Sequence, residues 1–371
     1  MPGFLTASLA PRIRGDFPFG DSNLGLAVGL FYVVSASGSV PAGRLVDRVG
    51  APRGVRLAAG LTVISCLSVA ALAQSAGSLM ALLVVGGVAN ALGGPSVSAL
   101  LKREVADHRQ GLAFGAQQAG APLGALLAGL ALPALAIPFG WQWAFVAAAA
   151  LALFAVALAP RATATSARAG PAGRRPRGLT SVHALGGAAV LASAAGVGFV
   201  SFLVTYAVDS GISEVAAGLL LAGVSLMATI SRISLGVLAD RARQEPLCPV
   251  AAMLVASVAG YLLLTVGEPG VIVASALLAG GLGWAWPGGL TLAVVQRSPQ
   301  APGWAVGVMM TGLFVGAVTG PLLTGVLAEE DLFDAAWIAC ASLALLAAAT
   351  IVATLRGEAR RPSHRRPRRT A

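Results

Sequence analysis

The chain has 371 residues, of which 57% are hydrophobic and only 11% are charged. A soluble domain of this length would need far more polar surface, so the composition excludes an ordinary soluble protein and indicates a membrane protein with many spans. The formal net charge of +10 does not indicate nucleic-acid binding, because no soluble domain is available to carry a basic surface.

The first apolar stretch, residues 3–10, is too short to span a membrane. About 30 Å of hydrocarbon takes roughly twenty helical residues to cross. A polar loop with Arg12, Arg14, Asp16 and Asp21 is predicted to follow. The stretch lacks the charged start and the cleavage site of a signal peptide, so it is interpreted as part of a first helix.

The longer apolar segments are predicted to be membrane-spanning helices. Five lie in the first half of the chain, at about 23–42, 55–74, 79–101, 111–134 and 141–160. Six lie in the second half, at about 182–208, 215–238, 247–266, 270–295, 304–327 and 334–355. The predicted organisation is therefore an all-α polytopic membrane protein with an N-terminal bundle (1–160), a basic linker (161–181), a C-terminal bundle (182–355) and a basic tail (356–371).

A charged turn between the first two long spans, residues 43–56 (GRLVDRVGAPRGVR), recurs in the second half. Residues 236–243 (GVLADRAR) repeat its Gly, Leu, Asp and Arg 193 positions later. Other positions keep this register to within one residue, namely Pro95 with Pro287, and Gly111, Gly115, Gly120 and Gly124 with Gly303, Gly307, Gly312 and Gly316. This register predicts two repeated six-helix halves, as in many transporters.

The repeat also predicts a truncated first helix. Projected back by the same offset, the start of the second half falls about ten residues before Met1. Two explanations stay open at this point: a start codon assigned too late, and a true half-length helix.

The spacing G-x-L-x-D-R-x-G-x-x-R in residues 43–53 resembles the loop signature between the second and third helices of major facilitator superfamily transporters. The resemblance covers essentially the whole chain apart from its start. It implies two six-helix bundles related by a pseudo-two-fold axis, with transport by alternating access around a midplane site. It also implies that Asp47 is similar to the residue that braces helix two against helix eleven when the cavity faces outward. The second copy departs from the pattern after Arg243, so Asp240 fits it less fully.

The residues of the motif are candidates for a conformational latch. A glycine at a helix end lets two helices approach closely, and an Asp can pair with Arg or accept hydrogen bonds from a helix N-terminus. The candidate latch residues are Gly43, Asp47, Arg48, Gly236, Asp240 and Arg241. The alternative, that the arginines only anchor the loop to anionic lipid, is favoured for Arg53 and Arg56.

Small residues and prolines recur in the predicted spans at 111–134 and 304–327, the fifth and eleventh helices when the short first helix is counted, and are predicted to allow close helix packing and bending. These residues are Gly115, Gly120, Pro122, Gly124, Gly312, Gly316, Gly320 and Pro321. They resemble, imperfectly, the antiporter signature of drug-exporting family members, although packing alone explains them.

Polar and aromatic groups at membrane depth are candidates for substrate binding, because each is unfavourable there without a partner or a cavity. They are Tyr32, Asn90, Gln117, Gln118, Tyr206, Arg232, Trp284 and Trp286. Interhelical hydrogen bonds are the alternative role, or an interfacial position for Tyr206. Gln117 and Gln118 project about 100° apart, so at most one is expected to face the cavity. Arg232 is expected to snorkel toward the nearer surface rather than enter the cavity.

Charge predicts the orientation. If both motif loops, the linker and the tail share one side, that side carries all Lys and Arg residues except Arg12 and Arg14. The positive-inside rule then places that side, and both termini, in the cytoplasm of a bacterial inner membrane.

A secondary transporter of a small neutral or anionic solute is the predicted function, because no acid at membrane depth is available to pair with a cation. A multidrug antiporter and a non-transporting sensor or assembly factor are the alternatives. No constellation typical of an enzyme, a cofactor site or a metal site is recognised, and Cys66, Cys248 and Cys340 lack metal-ligand spacing. The expected partners are the solute, membrane lipid and a coupling ion such as a proton that no residue pattern identifies; nucleic acid is not expected, and the chain is expected to be monomeric.

Overall fold

A computed structural model describes residues 2–18, 21–158, 179–242, 245–330 and 332–359. The described residues are almost entirely helical and contain no β-strand. Most of the predicted linker, and the predicted tail from residue 360 onward, lie outside the described residues. The second half begins and ends slightly outside its predicted bounds. Its first helix starts at Leu179, before the predicted residue 182, and its last helix ends at Ala359, after the predicted residue 355.

The helices of the first half are α1 (Pro2–Asp16), α2 (Asp21–Val49), α3 (Ala51–Leu72), α4 (Ala76–Glu104), α5 (Gln110–Ala131), α6 (Ile137–Phe139) and α7 (Trp141–Leu158). Those of the second half are α8 (Leu179–Asp209), α9 (Glu214–Ala242), α10 (Leu247–Leu263), α11 (Pro269–Gly283), α12 (Pro287–Arg297), α13 (Pro302–Glu329) and α14 (Phe333–Ala359). Within the described ranges, nine segments are long and apolar enough to cross a membrane, with α11 and α12 counted together. These findings confirm an all-α polytopic membrane protein.

The span predicted at 270–295 as one continuous helix is interrupted. Helix α11 ends at Gly283, and α12 begins at Pro287, a residue without a backbone N–H to continue the first helix. Trp284 and Trp286 therefore lie at a helix break near the middle of a span, where backbone carbonyls are released from helical hydrogen bonding.

The helix boundaries repeat with the same offset as the motifs. Helices α2 and α9 begin and end 193 positions apart, and so do α4 and the combined α11–α12 segment. Helices α5 and α13 begin 192 positions apart, as do α7 and α14. Helix α1 ends 193 positions before α8 ends, so its fifteen residues correspond to the last part of α8.

Helix α1 is longer than the predicted apolar stretch, because residues 12–16 are helical rather than part of a loop. Leu5, Leu9 and Ile13 recur every four residues and form a buried stripe against the rest of the first half. Asp16, in its last turn, accepts a hydrogen bond from the Trp141 indole (2.7 Å). The helix is about 22 Å long, which is less than a full span.

The halves meet most extensively at two helix crossings. Helix α2 packs against α13, and α5 packs against α9. In both crossings the contacts begin at the end of the helices that carries Asp47 and Asp240, which we call the motif end. A cluster of buried side chains, mostly from the second half and including Trp304, also takes in Ala36 of α2 and Phe114 of α5.

Candidate functional site

The first crossing is held at the motif end by Asp47. Its carboxylate, in the last turn of α2, accepts hydrogen bonds from the backbone N–H groups of Gly303 and Trp304, both at 2.8 Å. These groups belong to the first turn of α13, where N–H donors have no partner within their own helix. A Cβ atom added to Gly43 would collide with the Gly303 carbonyl, so only glycine allows this approach.

The second crossing has the same geometry. The Asp240 carboxylate of α9 accepts hydrogen bonds from Gly111 (2.7 Å) and Leu112 (2.8 Å) in the first turns of α5. A Cβ atom added to Gly236 would collide with the Gly111 carbonyl. The contact is thus present although the sequence after Arg243 departs from the motif.

The two crossings differ in their surroundings. Trp304 is buried and its ring lies 5.6 Å from the ring of His183. Its counterpart Leu112 is 41% exposed. Beside Asp240 lies a cleft of about 550 Å³ lined by residues of both halves, including Asp107, His108, Glu245 and Gln296. The Asp47 contact therefore lies next to a buried indole, whereas the Asp240 contact borders an open cleft.

The motif arginines lie at the surface. Arg48 and Arg241 are exposed, as is Arg53, which donates to the Val49 carbonyl of its own chain segment (3.4 Å). None of these three arginines forms an ion pair with Asp47 or Asp240 among the described residues. The two Asp carboxylates are bound instead by backbone N–H groups.

Arg232 enters the interface between the halves, and the predicted snorkelling is wrong. Its side chain is only 3% exposed. Nε donates to the Trp284 carbonyl (3.0 Å), and Nη1 donates to the Gln118 carbonyl of α5 (2.8 Å). The guanidinium carbon lies 5.0 Å from the centre of the Trp284 ring, in cation–π geometry.

The two neighbouring glutamines have different partners, as their angular separation predicts. Gln117 exchanges hydrogen bonds with Ser98 of α4 (2.9 and 3.1 Å) and stays within the first half. Gln118 donates to Thr291 of α12 (3.2 Å) and so connects the halves. Among the polar candidates, Gln118, Arg232 and Trp284 are brought together at the α5–α9 crossing.

Asn90 and Tyr32 make local contacts near the other crossing. Asn90 donates to the Ser35 hydroxyl (3.1 Å), which joins α4 to α2. Tyr32 packs its ring 5.9 Å from that of Phe314, across the α2–α13 crossing. Tyr32 is thus at the interface of the halves, whereas the amide of Asn90 is engaged within the first half.

Tyr206 and Trp286 lie apart from this group. The Tyr206 hydroxyl donates to the Leu264 carbonyl, and its ring packs on Trp337 at 5.1 Å inside the second half. Packing and this hydrogen bond account for Tyr206. Trp286 is 1% exposed in the same buried cluster as Ala36 and Phe114, and its indole N–H has no partner among the described residues.

The predicted packing residues fall into two groups. Gly312, Gly316 and Gly320 of α13 lie against backbone carbonyls of α8, so that a Cβ at any of them would collide. Gly115 lies against the Arg232 carbonyl in the same way. A Cβ on Gly120 would instead meet nothing within 4 Å, so this glycine is not required for packing. Gly124, Pro122 and Pro321 are half-buried in the same two helices.

An ion cluster that the sequence analysis missed lies at the motif end of the second half. Arg297 binds Glu358 through two hydrogen bonds (2.9 and 3.0 Å) and Glu245 at 3.0 Å. It ties the ends of α12 and α14 to the start of α10. The position of Arg297 directly after a span was the available clue. Elsewhere in the described residues, no group of His, Cys, Asp or Glu side chains is arranged to hold a metal ion.

Similar architectures occur among solved transporter structures. The Escherichia coli fucose:proton symporter aligns with a TM-score of 0.76 at 15% identity, over 96% of this chain and 94% of that chain. A proton:xylose symporter aligns with a TM-score of 0.75 at 15% identity, over 95% and 92%. The human organic anion transporter MFSD10 aligns with a TM-score of 0.74 at 18% identity, over 94% and 89%. At these identities the likeness shows a shared fold.

Two comparisons of sequence agree with the fold. An uncharacterised MFS-type transporter of Mycobacterium tuberculosis is 33% identical over 136 residues, which is 36% of this chain and 23% of that relative's length. The family model described as Major Facilitator Superfamily matches residues 1–303 and, in a second match, residues 185–371. The fold, the repeated motif and this match over the whole length establish that the chain belongs to the major facilitator superfamily.

Proposed function

We propose that this protein is a secondary active transporter that moves a small neutral or anionic solute across a bacterial inner membrane by alternating access. Two equivalent contacts at the motif end support this function most strongly: Asp47 binds the start of α13, and Asp240 binds the start of α5. Each consists of a few hydrogen bonds across the interface, and such contacts can form and break as two halves rock.

These contacts would act as a double latch. With both made, and with Gly43 and Gly236 in close contact with the opposite half, the motif end is closed. The excess of Lys and Arg in the motif loops assigns this end to the cytoplasm in our proposal. The described conformation would then have its cavity closed toward the cytoplasm, and loss of both contacts would open it.

The distribution of charge supports the proposed substrate class. Every described Asp and Glu lies in the first or last turn of a helix or between helices, so none of these carboxylates is placed at membrane depth to pair with a cation. Arg232 supplies a buried positive charge, and Gln118 and Trp284 supply amide and aromatic surface next to it. Solutes of this type are named for the similar folds: fucose, xylose and organic anions.

Flux into proteoliposomes tests the proposal. Purified protein is reconstituted, and uptake of radiolabelled neutral and anionic metabolites is measured with and without a pH gradient, together with efflux of a lipophilic cation. We expect saturable uptake of a neutral or anionic solute by the wild type and reduced uptake by Asp47→Asn. Transport of the lipophilic cation alone would favour the drug-antiporter alternative. No flux of any solute would favour a non-transporting sensor.

A further inference from the structure

Arg232 has an unusual position for a positive charge. It is buried where α5 crosses α9, and its two hydrogen bonds go to backbone carbonyls, Gln118 in one half and Trp284 in the other. No ion pair joins Arg232 to an Asp or Glu among the described residues. Its charge is therefore balanced only by carbonyl dipoles and the Trp284 ring.

Both carbonyls are free for a local reason. The N–H of residue 122 would bond to the Gln118 carbonyl in a regular helix, but Pro122 has no N–H. Trp284 is the C-cap residue of α11, where the carbonyls lose their helical donors. Arg232 thus donates to two carbonyls that lack a donor in their own helices. Of these two, only the Gln118 carbonyl belongs to the opposite half.

The charge is not needed to form a crossing of this kind. At the repeat position of Arg232, the α2–α13 crossing has Ser39, whose hydroxyl bonds to Ser35 in its own helix (2.6 Å). That crossing is bridged at a similar depth by an uncharged group, since Thr311 donates to the Ala36 carbonyl (2.8 Å). The same close approach is therefore reached without an arginine, and the buried charge requires another explanation.

Separation of α5 from α9 would change the environment of one guanidinium nitrogen. Nη1 would lose the Gln118 carbonyl, while Nε would keep Trp284 because both belong to the second half. A buried charged donor without an acceptor is strongly unfavourable, so an anionic group that reached Nη1 would stabilise the separated state. A neutral group would do so less well, since it brings no opposite charge to attract the guanidinium.

From this geometry, and resting on the function proposed above, we propose that Arg232 binds the anionic group of the substrate. A solute with one carboxylate-sized anionic group replaces the Gln118 carbonyl at Nη1 as the α5–α9 crossing opens. The Arg232 guanidinium can bond to the Gln118 carbonyl only while the crossing is closed, so an anion that takes the place of this carbonyl favours the open crossing. Binding of the anion and opening of the motif end are thereby coupled.

A distance measurement across the crossing tests this inference. His108 in the first half and Gln296 in the second line the same cleft and are exposed. Spin labels on H108C and Q296C, in full-length protein with the exposed Cys248 changed to Ser, report the separation of the halves in nanodiscs. The probes are acetate, lactate and benzoate, each compared with its uncharged amide.

We expect the three carboxylates to add a longer distance to the wild-type distribution and the amides to leave it unchanged. In Arg232→Gln no carboxylate should change the distribution, because the cation that binds the anion is gone. Arg232→Lys keeps the charge and should keep the response. Pro122→Ala, which gives the Gln118 carbonyl a helical donor, should open partly without probe and still respond.

Two outcomes would overturn the inference: a wild-type distribution that no carboxylate changes, or a carboxylate response that persists in Arg232→Gln. If Arg232→Gln does not fold, Pro122→Ala decides, and an unchanged distribution in that variant counts against the inference. Asp240→Asn is the control for opening itself. If Asp240→Asn shows the longer distance but carboxylates do not produce it, the anion inference alone fails; if no variant shows it, the rocking mechanism of the proposed function fails as well.

Discussion

The carboxylate of Asp47 lies 2.8 Å from the backbone nitrogen of Gly303, although 256 positions separate the two residues in the chain. The same relationship joins Asp240 to Gly111 across 129 positions. In both pairs an acid at the end of one helix caps the start of a helix in the other half. The internal repeat places each contact at the position equivalent to the other. A symmetric motion of the two halves would therefore affect both contacts together.

Neutralising the latch acids should change transport without unfolding the protein. Asp47→Asn and Asp240→Asn keep the side-chain volume, but they remove a charge that accepts two backbone hydrogen bonds. Hydrogen bonds to charged groups contribute about 1.5–3 kcal/mol each, so the ratio of closed to open states should fall about tenfold or more. Flux in proteoliposomes and thermal melting in detergent measure the two properties. Wild-type flux in both variants would assign the motif to lipid anchoring.

The glycines of the crossings should differ sharply in their tolerance of alanine. Gly236→Ala would place a methyl group against the Gly111 carbonyl, and forced overpacking typically costs about 1–3 kcal/mol. Gly120→Ala, in the helix that packs against α9, is the matched control, because its methyl group would meet nothing within 4 Å. We expect impaired closure at the motif end only for Gly236→Ala, measured by labelling of cysteines introduced there. Equal behaviour of both variants would contradict the close approach.

The two glutamines of α5 should separate substrate binding from stability. Gln118→Ala removes a hydrogen bond to Thr291 across the interface and should weaken solute binding. Gln117→Ala removes contacts to Ser98 within the first half and should lower the melting temperature while leaving the apparent solute affinity unchanged. Transport kinetics and thermal melts of both variants check this. A loss of affinity in Gln117→Ala alone would reverse the assignment.

The Arg297 cluster should stabilise the second half. Arg297→Gln would leave Glu245 and Glu358 close together without the guanidinium between them, so repulsion adds to the lost hydrogen bonds. We expect a lower melting temperature that rises in part with salt, because salt screens the two carboxylates. Arg48→Gln, at an exposed position of the same end, serves as the control and should melt like the wild type. An unchanged melting temperature for Arg297→Gln would show that the cluster contributes little.

The proposed orientation has a direct test in reporter fusions. Fusions after Arg53, Gly173 and Arg361 should report a cytoplasmic location, and a fusion near Glu330 should report a periplasmic one. The expectation follows from the excess of Lys and Arg in the motif loops, the linker and the tail. A cytoplasmic signal at Glu330 would be incompatible with the arrangement of six spans on each side of the linker.

Much of the architecture could be predicted from local composition. Apolar segments of about twenty residues have few alternatives to a membrane-spanning helix, and nine of the described helical segments are long and apolar enough to cross a membrane. The first helix and the span at 270–295 were predicted less well. Residues 12–16 continue α1 because Leu5, Leu9 and Ile13 bury its face, and the span predicted at 270–295 breaks at Trp284, where a continuous apolar run conceals the interruption.

By itself, the sequence determined which segments leave water, that the chain consists of two repeated halves, and that an acid and a glycine recur at equivalent helix ends. These are properties of local composition and spacing, which do not depend on distant contacts. Only the tertiary structure decided what each buried polar group meets. Arg232 turns inward because Pro122 and the end of α11 leave carbonyls without donors, and the Gln118 carbonyl that it binds lies 114 positions away in the chain. Such a pairing arises from the packing of helices from opposite halves, which hydropathy and helical periodicity do not specify.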